Sequence, residues 1–401
     1  MSAFPIFQTD FTTVAQTASS LELLQLAVAA DTEKNVAISP LGILAALALL
    51  ARGADGPTKA ALSDVLFGVG ANTERAENAF SGWLRQLLNV EDEFLEEAGA
   101  ILTLASSLWA SQPFVLAPEF INAAQSLYNA EVATLDFTAS TAALTVNDWV
   151  RQRTRGRIDS IVSPESLANL LPPALLLLNA VYFRARWASE FNTYDTHSGP
   201  FRLANGTTQQ AQLMHQVSTD IGYQAGAGWQ AIALPYLSFR RGLSMLIFHP
   251  NQPTGLPTFL ASLTATNWQS WHRDFKNAPQ TEVDLTLPRF RVEWNADLAP
   301  ALGRLGLTNL FAPGADFAAL GYDNEVGGGF IDSVLHKTFL AVDEQGTEAA
   351  AVTAIMAMGG SADAPENPPR VVVKVDSPFF YAIVDEADGM LLFAGTVNQL
   401  D

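Results

Sequence analysis

The stretch Asp343 to Gly360 reads DEQGTEAAAVTAIMAMGG, a run of small residues flanked by stronger strand formers. At period two from Thr347, one side carries Thr347, Ala349, Ala351, Thr353, Ile355 and Ala357. The other carries Glu348, Ala350, Val352, Ala354, Met356 and Met358. That alternation would let the segment enter a packed sheet. Yet Gly346 before it, Gly359-Gly360 after it and the proline-bearing SADAPENPPR beyond are the marks of an exposed loop. Alanine's helix propensity adds a third option. The rest of the chain has to decide.

With 401 residues the chain is long enough for two domains or one large one. Its hydrophobic content of 49% against 16% charged residues is a globular balance with material for a sizeable core. A formal charge of −19 argues against nucleic acid as a partner, because phosphate binding rests on Lys and Arg. The absence of cysteine removes disulfides, thiolate nucleophiles and Cys-based metal sites. The first residues lack a basic segment ahead of their apolar part and carry Asp10 early, unlike a signal peptide. The longest apolar runs, Leu41 to Ala51 and Ala174 to Leu178, fall short of the ~20 residues a membrane helix needs, so no membrane partner is expected. These features fit an intracellular or bacterial product, while the compartment stays open.

Working outward, Ser20 reads as the cap of a first helix carrying Leu21, Leu23, Leu24, Leu26 and Val28. NVAISPLGILAALALLARG gives a short strand at Val36 to Ile38, then Ser39 as N-cap, Pro40 at the first helical position and Gly53 just past the end of a buried helix. ILTLASSLWAS reads as a strand, TAALTVNDWVRQRTRGRI as a helix stopping at Gly156, and ALLLLNAVYFRARW as a long buried strand interrupted by Asn179. From Phe201 to Leu320, β-like runs such as WQAIALPY, LSMLIFHP and VDLTLPRFRVEW alternate with turns. With no repeat and no dividing linker, one α+β domain over residues 1–401 is expected.

Catalytic motifs are missing. GGSAD lacks the closing glycine of a nucleophile elbow, and there is no P-loop, dinucleotide fingerprint or H-E-x-x-H. His197, His215, His249, His272 and His336 are far apart in sequence, which gives no metal-ligand spacing. DEADG (Asp385 to Gly389) reads as a turn, and so does Asn205-Gly206-Thr207, which is also a glycosylation sequon. No enzyme activity, metal or cofactor is expected.

VKVDSPFFYAI (Val373 to Ile383) resembles the C-terminal signature of the serpins. The likeness extends in family order through NVAISPLGILAALALLARGADGPT, VNDWVRQRTRGRI, LLNAVYFRARW, LTLPRFRVEW, LGLTNLFAPGADFAAL and HKTFLAVDEQGTEAAA. The resemblance implies an α+β serpin fold of about three β-sheets ringed by about eight or nine helices, with an exposed reactive-centre loop over about residues 344–370. It also resolves the opening stretch. In inhibitory serpins such a loop is bait, and after cleavage it inserts into the main sheet as a new strand, leaving the protease trapped as an acyl-enzyme.

On that resemblance, Glu344, Gly346, Thr347, Ala349, Ala350 and Ala351 match the hinge, with Val352 bulkier than the pattern. The usual spacing puts the bait bond at Gly360-Ser361, with Met358-Gly359 and Met356-Ala357 as alternatives. Trp187 and Arg289 match the breach, where the loop first enters, and Arg289 can pair with Glu344. Ser39, Asn179 and His336 match the shutter beneath the sheet's opening, where Gly42 stands in place of a second serine. No Lys or Arg lies between Glu344 and Pro369, so elastase-, subtilisin- or chymotrypsin-like serine proteases are implied as targets over trypsin-like ones. A native monomer able to polymerise by loop-sheet exchange is implied. A non-inhibitory carrier or chaperone is the alternative, and the small hinge residues argue against it.

Overall fold

The computed structural model describes residues 12–88, 101–170, 172–237, 242–323, 329–347 and 369–400. Helix α1 (Thr12–Ala30) begins well ahead of Ser20. Ser20 is therefore not a cap: it lies inside the helix and its Oγ donates to the Gln16 carbonyl at 2.6 Å, satisfied by the turn behind it. Strand β1 (Val36–Ile38) leads to α2 (Pro40–Gly53), where Ser39 Oγ accepts the Gly42 N–H at 3.1 Å. Every residue of α2 except Arg52 is buried, as an all-apolar helix requires. Helix α3 (Gly56–Phe67) packs on α2, and α4 (Thr73–Leu88) packs on α3.

Strand β2 (Ile101–Ser111) is followed by β3 (Val115–Leu116), α5 (Pro118–Tyr128) and β4 (Glu131–Leu135). Helix α6 (Ala142–Arg153) ends just before Arg155 and Gly156, which turn to positive φ of 53° and 76°. Beyond α7 (Pro164–Ala168) runs β5 (Ala174–Arg186), buried on both faces for most of its length. Then come β6 (His197–Arg202), β7 (Thr208–Ser218), β8 (Gly222–Gly226), β9 (Trp229–Pro235) and β10 (Leu243–Pro250). The turn at Asn205-Gly206 joins β6 to β7, with Asn205 Oδ1 accepting the Thr207 N–H at 2.9 Å.

Helices α8 (Leu256–Ala261) and α9 (Ala265–Lys276) lead to β11 (Glu282–Pro288), β12 (Phe290–Asp297) and the short α10 (Ala299–Leu302). The strands end with β13 (Gly321–Tyr322), β14 (Phe330–Val342), β15 (Gly346–Thr347), β16 (Arg370–Lys374), β17 (Phe379–Asp385) and β18 (Leu391–Val397). VDLTLPRFRVEW, one run in the sequence, divides at Arg289 between two sheets, since Pro288 has no N–H with which to extend a ladder.

Among the described residues three larger sheets result, ordered β1-β18-β17-β10-β9-β8, β16-β11-β7-β6 and β12-β14-β15-β5-β2-β4, beside a small β13-β3 pair. Helix α2 lies between the first and the third, touching β18 on one side and β2 and β5 on the other. Period two divides the neighbours of β5: Leu175, Leu177, Val181 and Phe183 join the main core, while Ala174, Leu176 and Leu178 pack with Val146 of α6.

The third sheet positions the site. Strands β14 and β5 pair in parallel from Phe330↔Ala174 to Phe339↔Tyr182, with a bulge between Ile331 and Ser333. Past that point they part, and β15 lies between them, antiparallel to both: Thr347 faces Val342 on one side and Ala185 on the other. Of the opening stretch, Gly346 and Thr347 are thus strand.

Candidate functional site

The turn from Asp343 to Gly346 brings the chain back into the sheet. Asp343 N–H donates to the Gly346 carbonyl at 3.0 Å, and Asp343 Oδ1 accepts the N–H groups of Gln345 and Gly346 at 2.9 and 3.2 Å. Only glycine fits at 346, because a Cβ there would stand 2.1 Å from the Ala185 carbonyl oxygen. Trp187 grips this turn twice: its backbone N–H donates to the Gln345 carbonyl at 2.9 Å and its indole N–H to the Asp343 carbonyl at 3.0 Å.

Glu344 is only 3% exposed. Its Oε1 accepts from Arg289 Nε at 2.9 Å and from the terminal guanidinium nitrogen at 2.7 Å, and also from the Thr196 hydroxyl. Burial pushes this carboxyl up, but the Arg289 and Thr196 bonds outweigh it and leave it below its ordinary value. Thr347 is fully buried, and its Oγ1 lies 2.6 Å from the Tyr236 hydroxyl. The Tyr236 ring stacks on Trp187 at 4.6 Å and 13°.

Further down the seam, His336 faces Asn179 in the β14–β5 register. Ser39 N–H donates to His336 Nε2 at 3.0 Å, which makes that nitrogen the acceptor of a neutral ring. Burial pushes His336 down to about 3, offset only in part by the Asn179 backbone. Ser39 Oγ donates to the Leu392 carbonyl at 2.7 Å, tying the cap of α2 to β18. Asn179 Nδ2 donates to Ser106 Oγ of β2 at 3.0 Å, while its Oδ1 has no partner among the described residues. Thr338 of β14 donates to the Ala37 carbonyl at 2.6 Å.

The structure thus gathers Trp187, Arg289, Glu344, Gly346 and Thr347 at the open end of the third sheet, and Ser39, Asn179 and His336 at its closed seam. Ala349, Ala350, Ala351, Met356, Met358, Gly360 and Ser361 lie outside the described residues. Sequence reasoning missed Tyr236, Thr196, Ser106 and Thr338, whose roles as partners come from long-range packing. Only the placement of Tyr236 at the end of WQAIALPY, an apolar run closing on a hydroxyl, offered a signal.

A fold of three sheets with a strand slot in one of them defines a class, and comparison with known proteins assigns it. The family model described as Serpin (serine protease inhibitor) matches residues 14–400, and the chain belongs to the serpin family. It is 32% identical over 397 residues to the leukocyte elastase inhibitor of Sus scrofa, covering 96% of this chain and 98% of the relative. To the neuroserpin of Gallus gallus it is 29% identical over 399 residues, covering 98% and 92%. Among solved structures, the thermophilic serpin Tengpin in its native state superimposes with a TM-score of 0.81 at 28% identity, over 100% of this chain and 96% of that one.

Proposed function

We propose that this protein is a single-use inhibitor of an elastase-like serine protease, trapping it by inserting the cleaved loop between β5 and β14. The observation that carries this reading is the seat of β15, where Gly346 and Thr347 pair antiparallel with both β14 and β5 beyond the Phe339–Tyr182 pair at which those two strands stop pairing with each other. In this reading the chain acts as one domain and the loop over about residues 344–370 is the bait. The target's serine attacks the carbonyl carbon of Gly360, or of Met358 or Met356. The fragment beginning after that residue leaves with a new amino terminus, and the remaining arm stays esterified to the protease.

Insertion then replaces the parallel β14–β5 pairing with two antiparallel ladders, each new hydrogen bond contributing about 0.5–1.5 kcal/mol net. Glu344, Gly346, Thr347 and Ala349 to Ala351 serve as the hinge. Trp187 and Arg289 hold its root, and Ser39, Asn179 and His336 close the seam that must part. The catalytic groups all belong to the protease. The loop's lack of Lys and Arg from Glu344 to Pro369, and the names of relatives such as the Sus scrofa leukocyte elastase inhibitor, support an elastase-like target over a trypsin-like one.

Incubation with elastase, subtilisin, chymotrypsin and trypsin, followed by a denaturing gel and mass spectrometry of the released peptide, tests this. An SDS-stable complex with one of the first three is expected, with the peptide starting at Ser361, Gly359 or Ala357. Cleavage with neither a complex nor a rise in melting temperature would favour the non-inhibitory carrier or chaperone.

A further inference from the structure

We propose that Tyr236 is a positioning residue that keeps the hinge seated in the sheet before any cleavage, so that insertion extends a strand already begun. The proposal rests on the inhibitory reading above and adds to it a residue that no serpin-like motif in the sequence marks.

Thr347 is fully buried in an uncleaved chain and laddered to Val342 and Ala185. Its one side-chain partner among the described residues, the Tyr236 hydroxyl at 2.6 Å, comes from a residue just past the end of β9, in a different sheet. Tyr236 is 4% exposed and its ring has little freedom: Trp187 stacks on one face, Phe183 meets it at 5.2 Å and 71°, and its backbone N–H donates to the Leu243 carbonyl at 2.8 Å. The hydroxyl is therefore presented at a fixed point. One stacked pair makes two successive grips, Trp187 on the turn at Asp343 to Gln345 and Tyr236 on Thr347.

The chemistry follows from when order is lost and gained. Starting a strand between two others fixes backbone before the ladder bonds that offset that loss can form. A hinge already seated has passed this step, so the freed arm only has to extend. In a suicide inhibitor, insertion competes with hydrolysis of the acyl-enzyme, and the partition between them reads how readily insertion proceeds.

Tyr236→Phe keeps the ring stack and removes only the hydroxyl. Thr347→Val removes the partner at nearly constant shape, and Thr347→Ser retains the bond. Hydrogen exchange of the 343–347 segment in uncleaved protein should quicken by about five- to tenfold in Tyr236→Phe and Thr347→Val, and stay near wild type in Thr347→Ser. With elastase, the moles of protein consumed per mole of protease trapped should rise by about two- to fivefold in the same two variants. Unchanged exchange would overturn the proposal even if the melting temperature fell, because a purely structural role moves only the latter. Faster exchange with unchanged consumption would overturn it too. If wild type traps no protease, the inhibitory reading fails by itself, and exchange still decides whether Tyr236 holds the seat.

Discussion

A Cβ on Gly42 would lie 2.5 Å from Asn179 Oδ1 and 2.7 Å from Val181 Cγ2. The family pattern puts a serine here, yet Asn179 in this chain has taken the space and turned its amide toward Ser106. Gly42→Ser should therefore destabilise the protein by about 1–3 kcal/mol through overpacking. Urea unfolding measures it, and a serine variant as stable as wild type would mean that the Asn179–Ser106 arrangement is dispensable. At the other end of the sheet, Arg289→Ala should cost about 1–2 kcal/mol, since it strips a buried carboxylate of two hydrogen bonds while the guanidinium itself is half exposed. Glu344→Lys sets like charges together and should yield polymers on mild heating, visible by size-exclusion chromatography; a variant that stays monomeric would refute this. The sequence could supply the identities of these side chains. It could not supply their rotamers, and so the turn of Asn179 and the Thr196 bond to Glu344 were not legible.

At the scale of the element, acid should act on strands β14 and β10 through their buried histidines. His336 is pushed down to about 3 and His249 of β10 to about 4, in each case chiefly by burial. For His249, Asp376 pulls upward and Arg202 downward, and its Nε2 lies 2.8 Å from Ser377 Oγ. In the unfolded chain both rings titrate near 6.5, so the unfolded state binds more protons below that pH and stability falls with it. The contribution is whole above about pH 6.5 and declines toward pH 4 and then 3, by at most about 1.4 kcal/mol per pH unit for each ring. Unfolding midpoints between pH 7 and 4.5 should show this slope, and His249→Gln should flatten it; identical profiles would remove His249 from the account. Strands such as β2 and β10 were readable because long apolar runs with turn residues at their ends need no distant partner to be recognised. Strand β15 was not, because two residues become a strand only where two others part to receive them.

Across the whole molecule, the order of the motifs along the chain was enough to identify the architecture, since each signature fixes one piece of a topology that few sequences could share. What remained hidden was how far the loop's root had already entered the sheet, because that balance depends on the sum of packing around Trp187, Tyr236 and Arg289. Completing the ladder should lift the melting temperature of cleaved protein by about 10 °C or more over the intact form, measurable by differential scanning calorimetry. A cleaved form melting at the intact temperature would mean that the arm does not enter.

The seat of β15 bears on solubility as well. Wherever β5 and β14 separate, each would show a bare row of amides and carbonyls, the kind of surface on which neighbouring chains nucleate aggregates. Here the first stretch of separation is already stoppered by the chain's own Gly346 and Thr347. The edge left where β5 and β14 separate is thus covered by the chain's own hinge. Should the strands part faster than their own loop can follow, the loop of an adjacent copy is the segment in solution best cut to fit the gap.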